Sequence, residues 1–200
     1  AMSEGLTMVD PINALKLDYW LPGNWEVIFG KKVLLDISKK LTAPAVVANM
    51  RDESTQQCLF KPYVIHNAAG LKVALIGFTD PDVPMRQPPS FSKGIHYEET
   101  DTLQPLVDEA RKEGQADLVV LMTHIGLPKA IALAETLKGV DVILSADTHE
   151  RTEEAVIRGS TLTMSSAWNS SCAWRSPGRP GDGPGAAAAR LRRSSRPLTR

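Results

Sequence analysis

Two stretches decide the fold: Ala116-Asp117-Leu118-Val119-Val120-Leu121-Met122-Thr123-His124 and Val140-Asp141-Val142-Ile143-Leu144-Ser145-Ala146-Asp147-Thr148-His149. Each is a short apolar run that stops at a side chain able to bind a metal. Pro128 to Leu137, between them, reads as a helix, so the whole is a strand, a crossover helix and a second, parallel strand. The carboxyl ends of both strands then share one edge of the sheet, where open α/β sheets hold their ligands. His124, Asp147 and His149 are expected to meet there.

Working outward, Thr7 to Leu17 has apolar residues at Val9, Ile12 and Leu15, close to helical spacing. Asp18 to Leu21 reads as a short strand entering the turn Pro22-Gly23-Asn24. Val33 to Leu41 is an amphipathic helix with Lys39 and Lys40 near its end, where the helix dipole favours cations. Pro44 to Ala48 reads as a buried strand. Leu59 to Ile65 and Leu71 to Gly77 form a hairpin around Asn67-Ala68-Ala69-Gly70. Leu103 to Glu113 is helical, and Ala155 to Ile157 with Thr161 to Met164 make a second hairpin. Hairpins mixed with a βαβ unit give an α/β fold with a mixed sheet. Asp80 to Thr100 holds four prolines and is expected to run irregularly over the surface near the strand-end edge.

Composition sets the outer limits. With 200 residues, 42% hydrophobic and 23% charged, the chain can form one core of ordinary size. No apolar run reaches the length of a membrane span, and Ala1 to Asp10 lacks the basic start and apolar stretch of an export signal. Cys58 and Cys172 are too few for a disulfide framework and lack paired metal spacing. The zero net charge is unevenly divided: from Trp168 onward there are seven arginines and one aspartate, leaving an acidic body. An acidic body argues against a nucleic-acid polymer as partner. The segment 167–200 is rich in Arg, Pro, Gly, Ala and Ser and is expected to be a disordered basic tail, since it has little apolar surface to offset its ordering entropy. Two origins are open for it: a native nucleic-acid-binding tail, or the product of a shifted reading frame in GC-rich DNA.

Several segments, in order, resemble the calcineurin-like metallophosphoesterases and specifically their 5′-nucleotidase branch. Gly23-Asn24-Trp25-Glu26 before Val27-Ile28-Phe29-Gly30 is similar to the family's Gly-Asn-His-Glu before Phe-Asp-Tyr-Gly. Lys72 to Gly77 resembles its central strand, Asp117 to Gly126 its run into His-x-Gly, and Val140 to His149 its run into Gly-His-x-His. The resemblance spans Gly5 to Met164 and implies a partial catalytic domain over 1–166, with a metallophosphoesterase-like αββα sandwich that lacks its first strands. The family's Asp-x-His and Gly-Asp strands would precede Gly5.

The resemblance implies roles position by position. Asn24, His124, Asp147 and His149 become metal ligands for one or two divalent ions, Mn, Fe or Zn. Asp147 stands where the family has the first histidine of Gly-His-x-His; a carboxylate there changes the ligand and can still bind a divalent ion. No catalytic residue is assigned, because the family's catalytic histidine is Trp25, whose indole exchanges no proton at neutral pH. Trp25, Arg86 and His96 are expected to face substrate: Trp25 as a stacking platform or else as core, Arg86 through its planar donor fork, His96 from the irregular loop. Glu26 is expected to accept a hydrogen bond from a ligand imidazole, and His66 to serve a turn. The implied activity is metal-dependent hydrolysis of a small phosphoester, a nucleotide in the first instance, impaired as the sequence stands. The alternatives are a non-catalytic binding module on the same fold and a relative of the thiosulfohydrolases, which also carry tryptophan after this turn. A periplasmic or secreted location follows from the resemblance alone.

Overall fold

The computed structural model describes residues 4–165 and, as backbone, 172–174. The expected boundary at 166 and the rest of the basic tail lie outside the described residues. A six-stranded mixed sheet runs through the molecule in the order β3 (Tyr63–Ala68), β4 (Leu71–Thr79), β6 (Leu118–His124), β7 (Val142–Ala146), β9 (Thr161–Ser165), β8 (Val156–Arg158). The inner four strands are parallel, and β3 and β8 pair antiparallel at the two edges. Both hairpins form as expected. In the first, Ala69 and Gly70 stand at φ 51° and 82°, the left-handed pair that a two-residue turn needs to match the strand twist.

The sheet is buried on both faces because its inner strands alternate toward two cores. Ala74, Ile76, Phe78, Val119, Leu121 and Ile143 face α4 (Leu103–Lys112) and α5 (Leu127–Thr136). α4 contributes Leu103, Val107 and Ala110, spaced along one helix face. Val73, Leu75, Val120 and Met122 face the other way, toward Trp20, Leu21, Leu34, Val46 and Val47. That second layer is built from α1 (Val9–Ala14), β1 (Tyr19–Leu21), α2 (Gly30–Ser38) and the chain around Val46. The result is a layered αββα arrangement.

Three expectations shift. Pro44 to Ala48 is buried only from Val46 onward and makes only isolated bridges, Ala45 to Trp20 and Val46 to Lys61, and no continuous strand. The irregular loop after β4 contains a short helix, α3 (Val83–Arg86), and a strand, β5 (Ile95–Tyr97), which pairs with β2 (Met50–Asp52) and buries Ile95 and Tyr97. Within the segment read as a tail, Cys172–Trp174 forms strand β10, antiparallel to β1.

The close layering has a specific cause at Gly77. A Cβ there would lie 1.8 Å from the carbonyl oxygen of Val46. Only glycine lets the second layer approach β4 this closely, and Ala48 N–H donates to Gly77 O at 2.7 Å across the gap.

Candidate functional site

The register of the parallel strands builds the site. Thr79, His124 and Ala146 are aligned across β4, β6 and β7. The residues that follow Thr79 and Ala146 are Asp80 and Asp147. Three strand ends therefore deliver an imidazole flanked by two carboxylates to one edge. Asn49, fully buried, fixes the end of β4: its amide donates to Thr79 O at 2.8 Å and Glu98 O at 3.2 Å, and its oxygen accepts from Thr79 N–H at 3.0 Å.

His124 is fully buried. Its Nε2 lies 3.2 Å from Asn24 Oδ1 and 3.3 Å from Asp147 Oδ1. Asn24 is brought there by the turn after β1, and Gln87 holds that turn by donating to Asn24 O at 2.9 Å. Both Arg86 terminal nitrogens lie 3.2 Å from Asp147 Oδ2, and Arg86 also pairs with Asp80. Asp80, with no exposed surface, pairs in addition with Lys129 at 3.0 Å, and Lys129 reaches Asp82 at 2.6 Å. Burial pushes the Asp147 carboxyl up, but the His124 hydrogen bond and charge and the Arg86 guanidinium outweigh it and hold the group below the usual carboxylate range.

The structure thus joins Asn24, His124, Asp147 and Arg86. It does not join His149 to them. Asp147 and His149 both take positive φ, 103° and 58°, so the chain turns sharply after β7 and leaves His149 exposed. Among the described residues no group of three His, Cys, Asp or Glu side chains could hold a metal ion, so the expected four-ligand set is not formed. His96 is exposed on β5, in register with Arg51, and makes no described contact with the site residues. Trp25 is 59% exposed and so is not core. It lines an apolar hollow of about 210 Å³ with Met8, Leu15, Trp20, Phe29 and Ile37. Glu26 accepts from Gly23 N–H at 2.7 Å instead of from an imidazole. Burial pushes its carboxyl above the ordinary range, against the lowering effect of that hydrogen bond and of His124 nearby. His66 lies within β3, edge-on to the Tyr19 ring, and not in a turn. Asp80 and Lys129 are participants that sequence reasoning missed.

The donor chemistry fits one divalent ion. Two donors about 2.1 Å from a common tetrahedral or octahedral centre stand roughly 3.0–3.4 Å apart, and the Asn24 and Asp147 oxygens stand at that separation from His124 Nε2. It does not fit two ions, because the other nearby carboxylate, Asp80, is taken up by Arg86 and Lys129. No helix among the described residues is long and apolar enough to cross a membrane.

No protein-family model matches the chain. It is 28% identical over 165 residues to the uncharacterized metallophosphoesterase YunD of Bacillus subtilis, covering 80% of this chain and 34% of that protein. It is 27% identical over 140 residues to the NAD 5′-nucleotidase of Haemophilus influenzae, covering 69% of this chain and 23% of that protein. Among solved structures, the sulfate thiohydrolase SoxB of Thermus thermophilus superposes with a TM-score of 0.76 at 30% identity, over 83% of this chain and 31% of that one. The calcineurin-like phosphoesterase YfkN of Bacillus subtilis shares the fold, with a TM-score of 0.66 at 24% identity over 80% of this chain and 57% of that one. The chain spans about a fifth to a third of the length of the curated relatives it matches. The parallel strand ends, the Gly23-Asn24 turn beside His124 and these likenesses agree: the chain is similar to the calcineurin-like metallophosphoesterases and, among them, to the 5′-nucleotidases.

Proposed function

We propose that the strand-end edge is a metal-assisted phosphoester site of the 5′-nucleotidase type, reduced to a single divalent ion and impaired in hydrolysis. The observation that carries this reading is the convergence of Asn24 Oδ1 and Asp147 Oδ1 on His124 Nε2, at 3.2 and 3.3 Å. These three residues would hold Mn, Fe or Zn, and the ion would supply Lewis acidity toward a phosphoryl oxygen. Arg86 presents a planar fork at the same edge, suited to the paired oxygens of a phosphate. Trp25, exposed beside the apolar hollow, offers a flat face for a nucleobase or sugar ring. It cannot carry a proton between solvent and leaving group. The substrate class is a small phosphoester, with nucleotides the first to test.

Metal content after purification, with Mn, Fe and Zn offered, tests the reading beside a His124→Ala control. The expected result is about one equivalent in the parent chain and a loss of that equivalent in the control, with slow release of phosphate from nucleotides. No metal in either protein overturns it. A second reading draws on Trp25 and on the likeness to SoxB: an activity toward sulfur oxyanions. Turnover of a thiosulfate-type substrate in place of nucleotides would favour it, and binding of nucleotide without turnover would favour a module that keeps the fold and lacks the chemistry.

A further inference from the structure

Arg86 is placed where it acts on both halves of this chemistry. Its guanidinium faces Asp147 Oδ2, while the other oxygen of the same carboxylate faces His124. An ion held by Asp147 Oδ1 would therefore sit a few ångströms from a fixed positive charge. Like charges at that range oppose each other. Arg86 is also anchored from behind by Asp80, which is fully buried and tied to Lys129, so the fork cannot simply leave the site.

Resting on the metal reading above, we infer that Arg86 is an internal cation that opposes the divalent ion at Asp147 and couples it to an anion: a tetrahedral dianion bound at this edge makes the two binding events cooperative. Alone, the guanidinium withdraws charge from Asp147 and repels the ion. With a dianion between them, the same two cations share one partner, and repulsion is replaced by two attractions. The coupling is reciprocal, so the ion must also tighten the anion. Arg86 is 43% exposed in its side chain, which lets an incoming anion reach the fork without opening the core. Empty of anion, the site holds metal loosely. The chemistry recognised is that of a phosphate monoester dianion, for which sulfate is a soluble stand-in that does not precipitate manganese.

The test is a titration of the whole chain with Mn2+, read by loss of the free-ion paramagnetic resonance signal, at constant ionic strength with sulfate or chloride. In the parent chain sulfate tightens Mn2+ about threefold to tenfold, the range of a partly exposed charge pair. Arg86→Gln tightens Mn2+ by a similar factor without sulfate and removes the response to sulfate. Arg86→Lys keeps the charge and keeps a weakened response. Asp80 retains Lys129 in both variants, and circular dichroism verifies the fold. Should Arg86→Gln be unfolded, the sulfate response of the parent chain still decides. Mn2+ affinity that is indifferent to sulfate, or weaker in folded Arg86→Gln, overturns the coupling while leaving the metal site standing. Absence of Mn2+ binding in every protein overturns the metal reading and the coupling together.

Discussion

Replacing Asn49 by alanine is the sharpest test of how the strand-end edge is held. Asn49 is fully buried and makes three hydrogen bonds, two to the backbone of Thr79 and one to Glu98 O, at 2.8 to 3.2 Å. Each such bond contributes about 0.5–1.5 kcal/mol net, and each buried group left without a partner costs toward the upper end of that range or beyond it. Asn49→Ala is therefore expected to destabilise the chain by about 3 kcal/mol, a large share of the stability of an ordinary domain. With a urea slope of about 2 kcal/mol/M, the unfolding midpoint falls by roughly 1.5 M. Asn49→Asp keeps the side-chain shape and loses only the two donor bonds, so it separates hydrogen bonding from packing; a carboxylate facing two carbonyl oxygens should destabilise at least as much as alanine. The assay is equilibrium urea unfolding followed by tryptophan fluorescence, with the slope checked to be unchanged. A midpoint shift below about 0.4 M for both variants would refute the view that Asn49 clamps the end of β4.

Two further predictions concern the layering and the turn beside the site. Gly77→Ala places a methyl group 1.8 Å from the Val46 carbonyl oxygen; because backbone must move to relieve it, a loss of at least about 3 kcal/mol is expected, and an unchanged thermal midpoint would contradict the close approach. Glu26→Gln tests the raised carboxyl. Because burial lifts the folded value above the unfolded value of about 4.3, the folded chain binds the extra proton, and stability falls as pH rises through the folded value. Glu26→Gln should therefore raise the urea midpoint at pH 7 and lose that advantage as pH drops below the unfolded value near 4, where both proteins carry a neutral side chain; a stabilising effect that is largest in acid would reverse the sign and sink the argument.

The parts of this fold legible in sequence are those where one chemical pattern has one structural outcome. The apolar runs ending at His124 and Ala146, with a helical segment between them, admit little besides a parallel βαβ unit, and its strand ends met as expected. The same rule applied to β4 would have found Asp80. It was missed because Gly77 reads as the end of a strand, whereas it sits inside one and serves the contact with Val46. Lys129 was missed for a different reason: in the first turn of α5 it looks like any solvated lysine until the loop carrying Asp82 is folded over it. His149 is expected in the site because it closes the second stretch and matches the second histidine of Gly-His-x-His. The path of a loop depends on backbone angles, and although aspartate and histidine adopt positive φ more often than most side chains, residue type alone does not announce it at Asp147 and His149. His96 shows the complementary limit, since a strand buried on one side by Ile95 and Tyr97 must turn the residue between them outward.

The alignment of Thr79, His124 and Ala146 has a consequence for how the protein acquires its site. Asn24 and His124 are 100 positions apart in sequence, and Arg86 and Asp147 are 61 apart. His124 and Asp147 share one βαβ unit, but Asn24 lies far from both in sequence and completes the set only from the turn after β1. The full set comes together only when the β1 turn has packed against the paired strands of the sheet, a high-contact-order event that is slow and entropically costly. Site assembly and global folding are then one transition. A ligand at this edge recognises the finished sheet and nothing earlier, and its binding energy adds to the stability of the entire domain, about 2.7 kcal/mol at a hundredfold excess over its dissociation constant.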